Sequence, residues 1–144
     1  MTACVLDASV AAKWYLPAAG EPLAAEARQL FGEHAAGRIE MFAPDLLWPE
    51  LGSVLWKAVR LGRMTAASAR TSIHSFEQFS ISTLPSRPLI EDAFEIAHAF
   101  GRTVYDSIYV ALAVGVDAPL VTADERLANA LAARFPVRWL GAAF

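Results

Sequence analysis

Apolar positions along this chain fall into two rhythms, short unbroken runs and stripes at helical spacing, which together predict alternating strands and helices. Ala3-Cys4-Val5-Leu6 is a short apolar run that ends at Asp7. Ser9 is placed to open a helix through Leu16, and Pro17 stops it. From about Glu21 to Ala36, Leu23, Ala27, Leu30 and Phe31 form the inner stripe of a second helix closed by Gly37. Ile39 to Ala43 reads as a strand. After Pro44, the positions Leu47, Leu51, Val54, Leu55, Ala58 and Leu61 mark a long helix that ends at Gly62. Thr65 caps another helix to about Phe79, and Ser80 to Leu84 alternates as a strand closed by Pro85.

The second half continues the alternation. Arg87 to Phe100 carries Ile90, Ala93, Phe94, Ile96 and Ala97, an apolar pattern too broad for a surface helix, and Gly101 ends it. The next helix, about Tyr105 to Val114, is almost wholly apolar beyond Ser107, which places it in the middle of the fold. Pro119 to Thr122 forms a strand, Asp124 caps a helix to Arg134, and Val137 to Leu140 forms the last strand. Strand and helix in turn predict a three-layer α/β domain around a mostly parallel sheet. No repeat, low-complexity stretch or linker divides residues 1–144, so a single domain is expected.

Composition narrows the classes. With 56% hydrophobic and 19% charged residues, the chain fills a core and is not disordered. The apolar share is high for a small monomer and hints at a partner surface such as a homodimer. A net charge of −3 argues against a strongly basic phosphate-backbone binder. It leaves room for local positive rims, and ten of the twelve basic residues are Arg, which suits bidentate phosphate contacts. The single cysteine, Cys4, lies in an apolar run and reads as a core residue, so no disulfide or Cys-rich zinc site is expected. No signal peptide is visible at the start, and the longest apolar run, Ile108 to Val116, is far short of a membrane span. The default expectation is cytoplasmic, with no membrane.

Candidate chemistry concentrates in four acids. Asp7 directly follows the first strand, and Asp124 follows the strand Leu120 to Thr122 by one residue. In open parallel sheets ligands bind beyond the carboxyl ends of the strands, so these two converge on one edge. Asp106 starts an apolar helix, where simple capping also explains it, as it does Asp124. Glu50 sits one turn inside the helix of Leu47 and Leu51, where an acid on an apolar face needs a partner, unless it is a solvated residue between core positions. Two carboxylates about 5 Å apart repel by roughly 3 kcal/mol at an effective dielectric near 20. A cleft shared by four therefore calls for a cation. Oxygen-only ligands suit Mg²⁺ or Mn²⁺, and such an ion with a bound water is the chemistry of phosphodiester hydrolysis.

Other chemistries lack their parts. Lys occurs only at positions 13 and 57, and no Gly-rich nucleotide loop is present. His34, His74 and His98 share no metal-ligand spacing, and Ser9 has no His–acid arrangement around it.

These residues resemble the PIN-domain family, in particular the VapC-type toxins of prokaryotic toxin–antitoxin pairs. The resemblance lies in Val5-Leu6-Asp7-Ala8-Ser9-Val10, in Ala43-Pro44-Asp45-Leu46-Leu47 leading to Glu50, and in Leu55-Trp56-Lys57-Ala58. It continues in Thr103-Val104-Tyr105-Asp106-Ser107-Ile108-Tyr109-Val110-Ala111-Leu112-Ala113 and in Leu120-Val121-Thr122-Ala123-Asp124-Glu125-Arg126-Leu127. Any one block is weak; the ordered set covers nearly the whole chain.

The resemblance implies about five parallel strands between helices, with Asp7, Glu50, Asp106 and Asp124 at the C-terminal edge of the sheet. It implies Mg²⁺- or Mn²⁺-dependent endonucleolytic cleavage of RNA by a metal-activated water. Asp7 and Asp106 would be the main ligands, Glu50 and Asp124 would complete the site, and Ser9 and Thr122 would support the carboxylates. Ser53 departs from the pattern, which often has Asn there, and is left out of the site. The resemblance further implies a homodimer neutralised by a cognate antitoxin. Trp48 and Trp56 would suit a partner helix, although core packing explains them equally. Lys13, Lys57 and Arg60, with Arg63 beyond, are candidate RNA contacts or simply a solvated face. A housekeeping RNA-processing nuclease and a catalytically silent binding module of the same fold are the competing readings.

Overall fold

The computed structural model describes residues 1–144. Five strands, β1 (Ala3–Leu6), β2 (Glu40–Pro44), β3 (Ser82–Leu84), β4 (Leu120–Thr122) and β5 (Val137–Trp139), form one sheet in the order β3-β2-β1-β4-β5. Every pairing is parallel, with Val5 opposite both Phe42 and Leu120, and Leu6 opposite Val121. The chain starts at the middle strand, builds outward to β3, and returns to the other side of β1 through β4. That reversal leaves a crevice at the C-terminal ends of β1 and β4, where the connections part.

Seven helices cover the sheet: α1 (Ala8–Ala11), α2 (Ala24–Ala35), α3 (Leu47–Arg60), α4 (Ala66–Glu77), α5 (Ile90–Phe100), α6 (Val104–Val116) and α7 (Glu125–Leu131). Alternation along β1 separates the two layers. Cys4 and Leu6 pack with Leu30, Met41, Leu47, Leu51, Leu55 and Phe76 on one face, whereas Val5 packs with Tyr109, Val110, Leu120, Leu127 and Leu131 on the other. Cys4 is fully buried, and its thiol is pushed up to about 12 by burial, as a core residue requires. Phe76 gathers Trp14, Tyr15, Trp48 and Phe79 around it, with ring centroids 5.1 to 6.2 Å away. Trp48 is therefore half-buried against the core.

Several boundaries differ from the expectation, each for a physical reason. The first helix opens at Ala8, with Asp7 rather than Ser9 as its cap, and gives way after one turn to a 3-10 turn over Ala12–Trp14. The second begins only at Ala24, behind Leu23, whose φ of 58° is left-handed and unfavourable for a branched side chain. Two residues earlier, Glu21 receives both Lys13 and Arg63, which pins this entry segment to α1 and to the α3–α4 turn. The strand before α3 runs one residue further than expected, through Pro44. The broad apolar pattern of α5 is not fully buried: Ala93 and Ile96 face inward while Ile90 and Phe94 stay exposed. The central position expected for α6 is observed, with every residue from Ser107 to Ala113 buried. The last helix stops at Leu131, short of Arg134.

Candidate active site

The four acids line one cleft of about 450 Å³ at the C-terminal edge of the sheet, together with Ala8, Ser9, Leu46, Pro49, Ser53, Val54 and Tyr105. No Lys or Arg is among the lining residues. Each acid arrives from a different element. Asp7 ends β1 and caps α1, accepting from the Ser9 N–H at 3.3 Å. Thr122, fully buried at the end of β4, donates its hydroxyl to Asp7 Oδ2 at 2.7 Å, and Thr122 Oγ1 in turn accepts the Asp124 N–H at 3.1 Å. One side chain thus fixes two of the acids. Ser9 Oγ reaches across to accept the Ala123 N–H at 3.2 Å, tying α1 to the β4–α7 turn. Thr122 thus meets Asp7 through its hydroxyl, whereas Ser9 meets it through its backbone N–H.

The capping alternatives separate cleanly. Asp124 does cap α7, its Oδ1 accepting from Arg126 and Leu127 N–H at 3.0 and 3.2 Å. Asp106 does not cap α6. Thr103 takes that role, its Oγ1 accepting the Asp106 N–H at 3.0 Å, which leaves the Asp106 carboxylate free to face the cleft. Glu50 enters from the first turn of α3, half-buried, with Oε1 fully enclosed and without a hydrogen-bond partner. A buried orphan carboxylate oxygen is costly unless a donor or a cation meets it.

Electrostatics point the same way. Asp7 is held above the ordinary carboxylate range by burial and by the nearby Asp106, against the pull of Thr122 and Ser9. Burial also raises Glu50, helped by Asp7 and Asp106, while the Tyr109 hydroxyl works in the other direction. Asp106 is raised by burial and by Asp124, with Thr103 and Arg102 opposing. Each group therefore resists ionisation in the presence of the others. No three acidic, His or Cys side chains stand close enough to cage an ion as they are. The fit is to a hard divalent cation that takes one or two carboxylates directly and keeps its remaining positions for water.

Among the expected RNA contacts, the structure brings none into the cleft lining. Lys13 is a correction. The helix carrying it tightens after one turn, and its ammonium donates to Glu21 Oε1 at 2.8 Å and to the Pro22 carbonyl at 2.7 Å. Only 9% of that side chain remains exposed, so Lys13 holds the entry loop rather than lining the cleft. Arg63 is bound to the same Glu21 at 2.9 Å. Lys57 and Arg60 are exposed on α3 beyond the cleft.

Three contributors escape a reading of the sequence. Ser53 lines the cleft despite being short. Tyr105, adjacent to Asp106, also lines it and is 62% exposed. Tyr109 is 2% exposed and reads as core, yet its hydroxyl is aimed at Glu50 without forming a hydrogen bond of ordinary geometry. The spacing of three residues between Asp106 and Tyr109, one helical turn, was the available signal.

Fold and site together define a parallel α/β domain organised around an acidic, cation-seeking cleft. Residues 4–131 match the PIN domain, and the chain belongs to the PIN-domain family. It is similar to Ribonuclease VapC3 of Pyrobaculum aerophilum, 32% identical over 128 residues that cover 87% of this chain and 92% of that one. It is 38% identical over 89 residues to Ribonuclease VapC1 of Mycobacterium tuberculosis, a match that spans 61% of this chain and 65% of the relative's length. The fold is also that of the crystallised Pyrobaculum aerophilum protein PAE2754, with a TM-score of 0.71 at 24% identity, covering 97% and 90% of the two chains.

Proposed function

We propose that this protein is a metal-dependent endoribonuclease and the toxin of a toxin–antitoxin pair. The observation that carries the reading is the convergence of Asp7, Glu50, Asp106 and Asp124 in one cleft without a basic residue among its lining. The relatives of similar length are ribonucleases, which turns a generic acidic cleft into a specific expectation. Asp7 and Asp106 would hold Mg²⁺ or Mn²⁺, with Glu50 and Asp124 completing the set directly or through water. When bound, such an ion supplies neutralising charge and a water acidic enough to attack phosphorus at neutral pH.

The chain's own residues do the rest. Thr122 and the Ser9 N–H hold Asp7 in one orientation, and Thr122 carries the Asp124 backbone with it. Thr103 caps α6, so that the Asp106 carboxylate faces outward. Glu50, half-buried and lining the cleft, is the acid suited to take a proton from the attacking water.

The partners follow from the same reading. The cognate antitoxin would deliver a cation to the acids, and an apolar helix to the exposed surface around them. A homodimer fits the apolar residues left exposed on α5 and α6, Ile90, Phe94 and Val114. No helix is long and apolar enough to cross a membrane, and the proposed site of action is the cytoplasm.

The test is cleavage of RNA by the purified protein in Mg²⁺ or Mn²⁺, abolished by chelation and by Asp106→Asn. Induced expression should arrest growth, and the Asp106→Asn chain should not. Metal-dependent cleavage that survives Asp106→Asn would remove the site from the reading; absence of any RNA cleavage would remove the activity.

A further inference from the structure

Beyond the acidic cleft, α3 carries a second feature that hydrolysis does not require. Pro49, Glu50 and Ser53 line the cleft from the first half of this helix. Residues seven positions apart lie on nearly the same side of a helix, so Pro49 is continued by Trp56, Glu50 by Lys57, and Ser53 by Arg60. The ridge leaving the cleft is thus an aromatic ring flanked by two cations. Trp56 is 60% exposed, an unusual cost for an indole on a monomer surface. The Arg60 guanidinium lies over it, 5.2 Å from the ring centroid, and no aromatic ring of the protein packs against it. Trp14 and Trp48, by contrast, are built into the aromatic cluster around Phe76.

The geometry points to Trp56 and Arg60 as a stacking platform for an unpaired nucleobase of the RNA substrate, about 5 to 10 Å along α3 from the cleft-lining Ser53. The inference rests on the ribonuclease reading and adds where the strand runs. The guanidinium fixes the indole plane through the cation–π contact and presents charge to the adjoining phosphate, while Lys57 adds a second cation on the cleft side. A ring beside two cations complements a polyanion whose units each carry a π face. An amphipathic partner helix would instead call for a continuous apolar stripe, and Lys57 and Arg60 interrupt it. The platform selects single-stranded or looped RNA, because a base inside a duplex cannot reach the ring.

The experiment uses the full chain carrying Asp106→Asn, bound to a fluorescently labelled single-stranded RNA, with each nucleotide in turn replaced by an abasic residue. Trp56→Ala should weaken binding about 10-fold, the scale of one lost base stack, and Trp56→Phe should recover part of it. At one position in the strand, the abasic substitution should weaken binding to the Trp56-containing chain while adding nothing to Trp56→Ala. Arg60→Ala should give a smaller loss. Because Trp56 is exposed, an unchanged melting temperature for Trp56→Ala separates the effect from unfolding. Equal RNA affinity with and without the Trp56 ring overturns the platform, and so does a loss that no abasic position shares; the surface would then belong to a protein partner. If wild-type protein neither binds nor cleaves RNA, the ribonuclease reading fails first, which is a different result from a silent Trp56→Ala in an active enzyme.

Discussion

Thr122 is the residue on which the geometry of the cleft turns, and replacing it with valine isolates that role. The two side chains have nearly the same shape, so the packing around the end of β4 is kept and only the hydroxyl is lost. With it go the 2.7 Å bond to Asp7 Oδ2 and the 3.1 Å acceptance of the Asp124 N–H. A hydrogen bond to a charged group contributes about 1.5–3 kcal/mol, and a neutral one about 1 kcal/mol. Removing the buried hydroxyl itself recovers some desolvation, which leaves a net loss of about 2.5 kcal/mol at neutral pH. For a domain of this size the unfolding entropy is about 0.3 kcal/mol per degree, so the melting temperature should fall by roughly 8 °C. The Thr122 bond favours ionised Asp7, opposing the burial that raises its pKa. Its stabilisation is therefore present above the folded pKa of Asp7 and fades as pH falls through it. Melting curves of wild type and Thr122→Val, followed by circular dichroism from neutral to acid pH, should draw closer as Asp7 takes up its proton, leaving only the smaller loss from the Asp124 N–H bond. RNA cleavage should drop about 10- to 100-fold, as for other residues that orient a metal ligand. A melting temperature unchanged at neutral pH, or a gap that stays constant with pH, would refute the assignment of Thr122 to the Asp7 carboxylate.

Three further outcomes follow from the same site. Asp7→Asn should raise the melting temperature of metal-free protein, since it removes a buried charge facing Asp106, and should abolish the thermal upshift that saturating Mn²⁺ gives wild type, about 2.7 kcal/mol at one hundred times the dissociation constant. Metal-free wild type should become more stable as pH falls from neutral: the folded pKa values of Asp7, Glu50 and Asp106 are raised, so each destabilises the fold when ionised above its folded pKa and ceases to do so as it takes up a proton. Denaturant midpoints measured in chelator across that range check this, and a monotonic loss of stability toward acid would contradict it. Lys13→Met should cost about 2 kcal/mol in urea unfolding by releasing Glu21 and Pro22, with no change in the affinity of the Asp106→Asn chain for single-stranded RNA; weakened RNA binding would restore Lys13 to the substrate.

Much of this was readable in the sequence because it is local. Strand runs followed by acids, as at Leu6-Asp7 and Thr122-Ala123-Asp124, carry their own position at the sheet edge. Thr65 and the stripe from Leu47 to Ala58 likewise define their helices without help from the rest of the chain. What escaped depends on partners far away in sequence. Ser9 looks like a helix cap until Ala123, 114 residues later, is seen to donate to it. Lys13 faces the cleft on a continuous α-helix, but the change to a 3-10 turn after Ala11 aims it at Glu21. Tyr109 sits in an apolar run indistinguishable from core, and only the folded arrangement shows that its buried hydroxyl lies toward Glu50. Asp106 gave the reverse lesson. Its position at a helix start invited the capping explanation, which Thr103 removes by capping that helix itself.

The pairing of β1 with β4 also governs when the cleft is complete. Asp7 emerges from the ribosome more than a hundred residues ahead of Thr122 and Asp124. Until β4 has been synthesised and has paired with β1, Asp7 lacks its buried donor and the cleft lacks one wall. A contact so distant in sequence forms late, since its loop must close before the contact can stabilise anything. A nascent chain that stops short of β4 consequently lacks the assembled cleft. The order of strands in the sheet thus delays assembly of the acidic cleft until β4 has paired with β1.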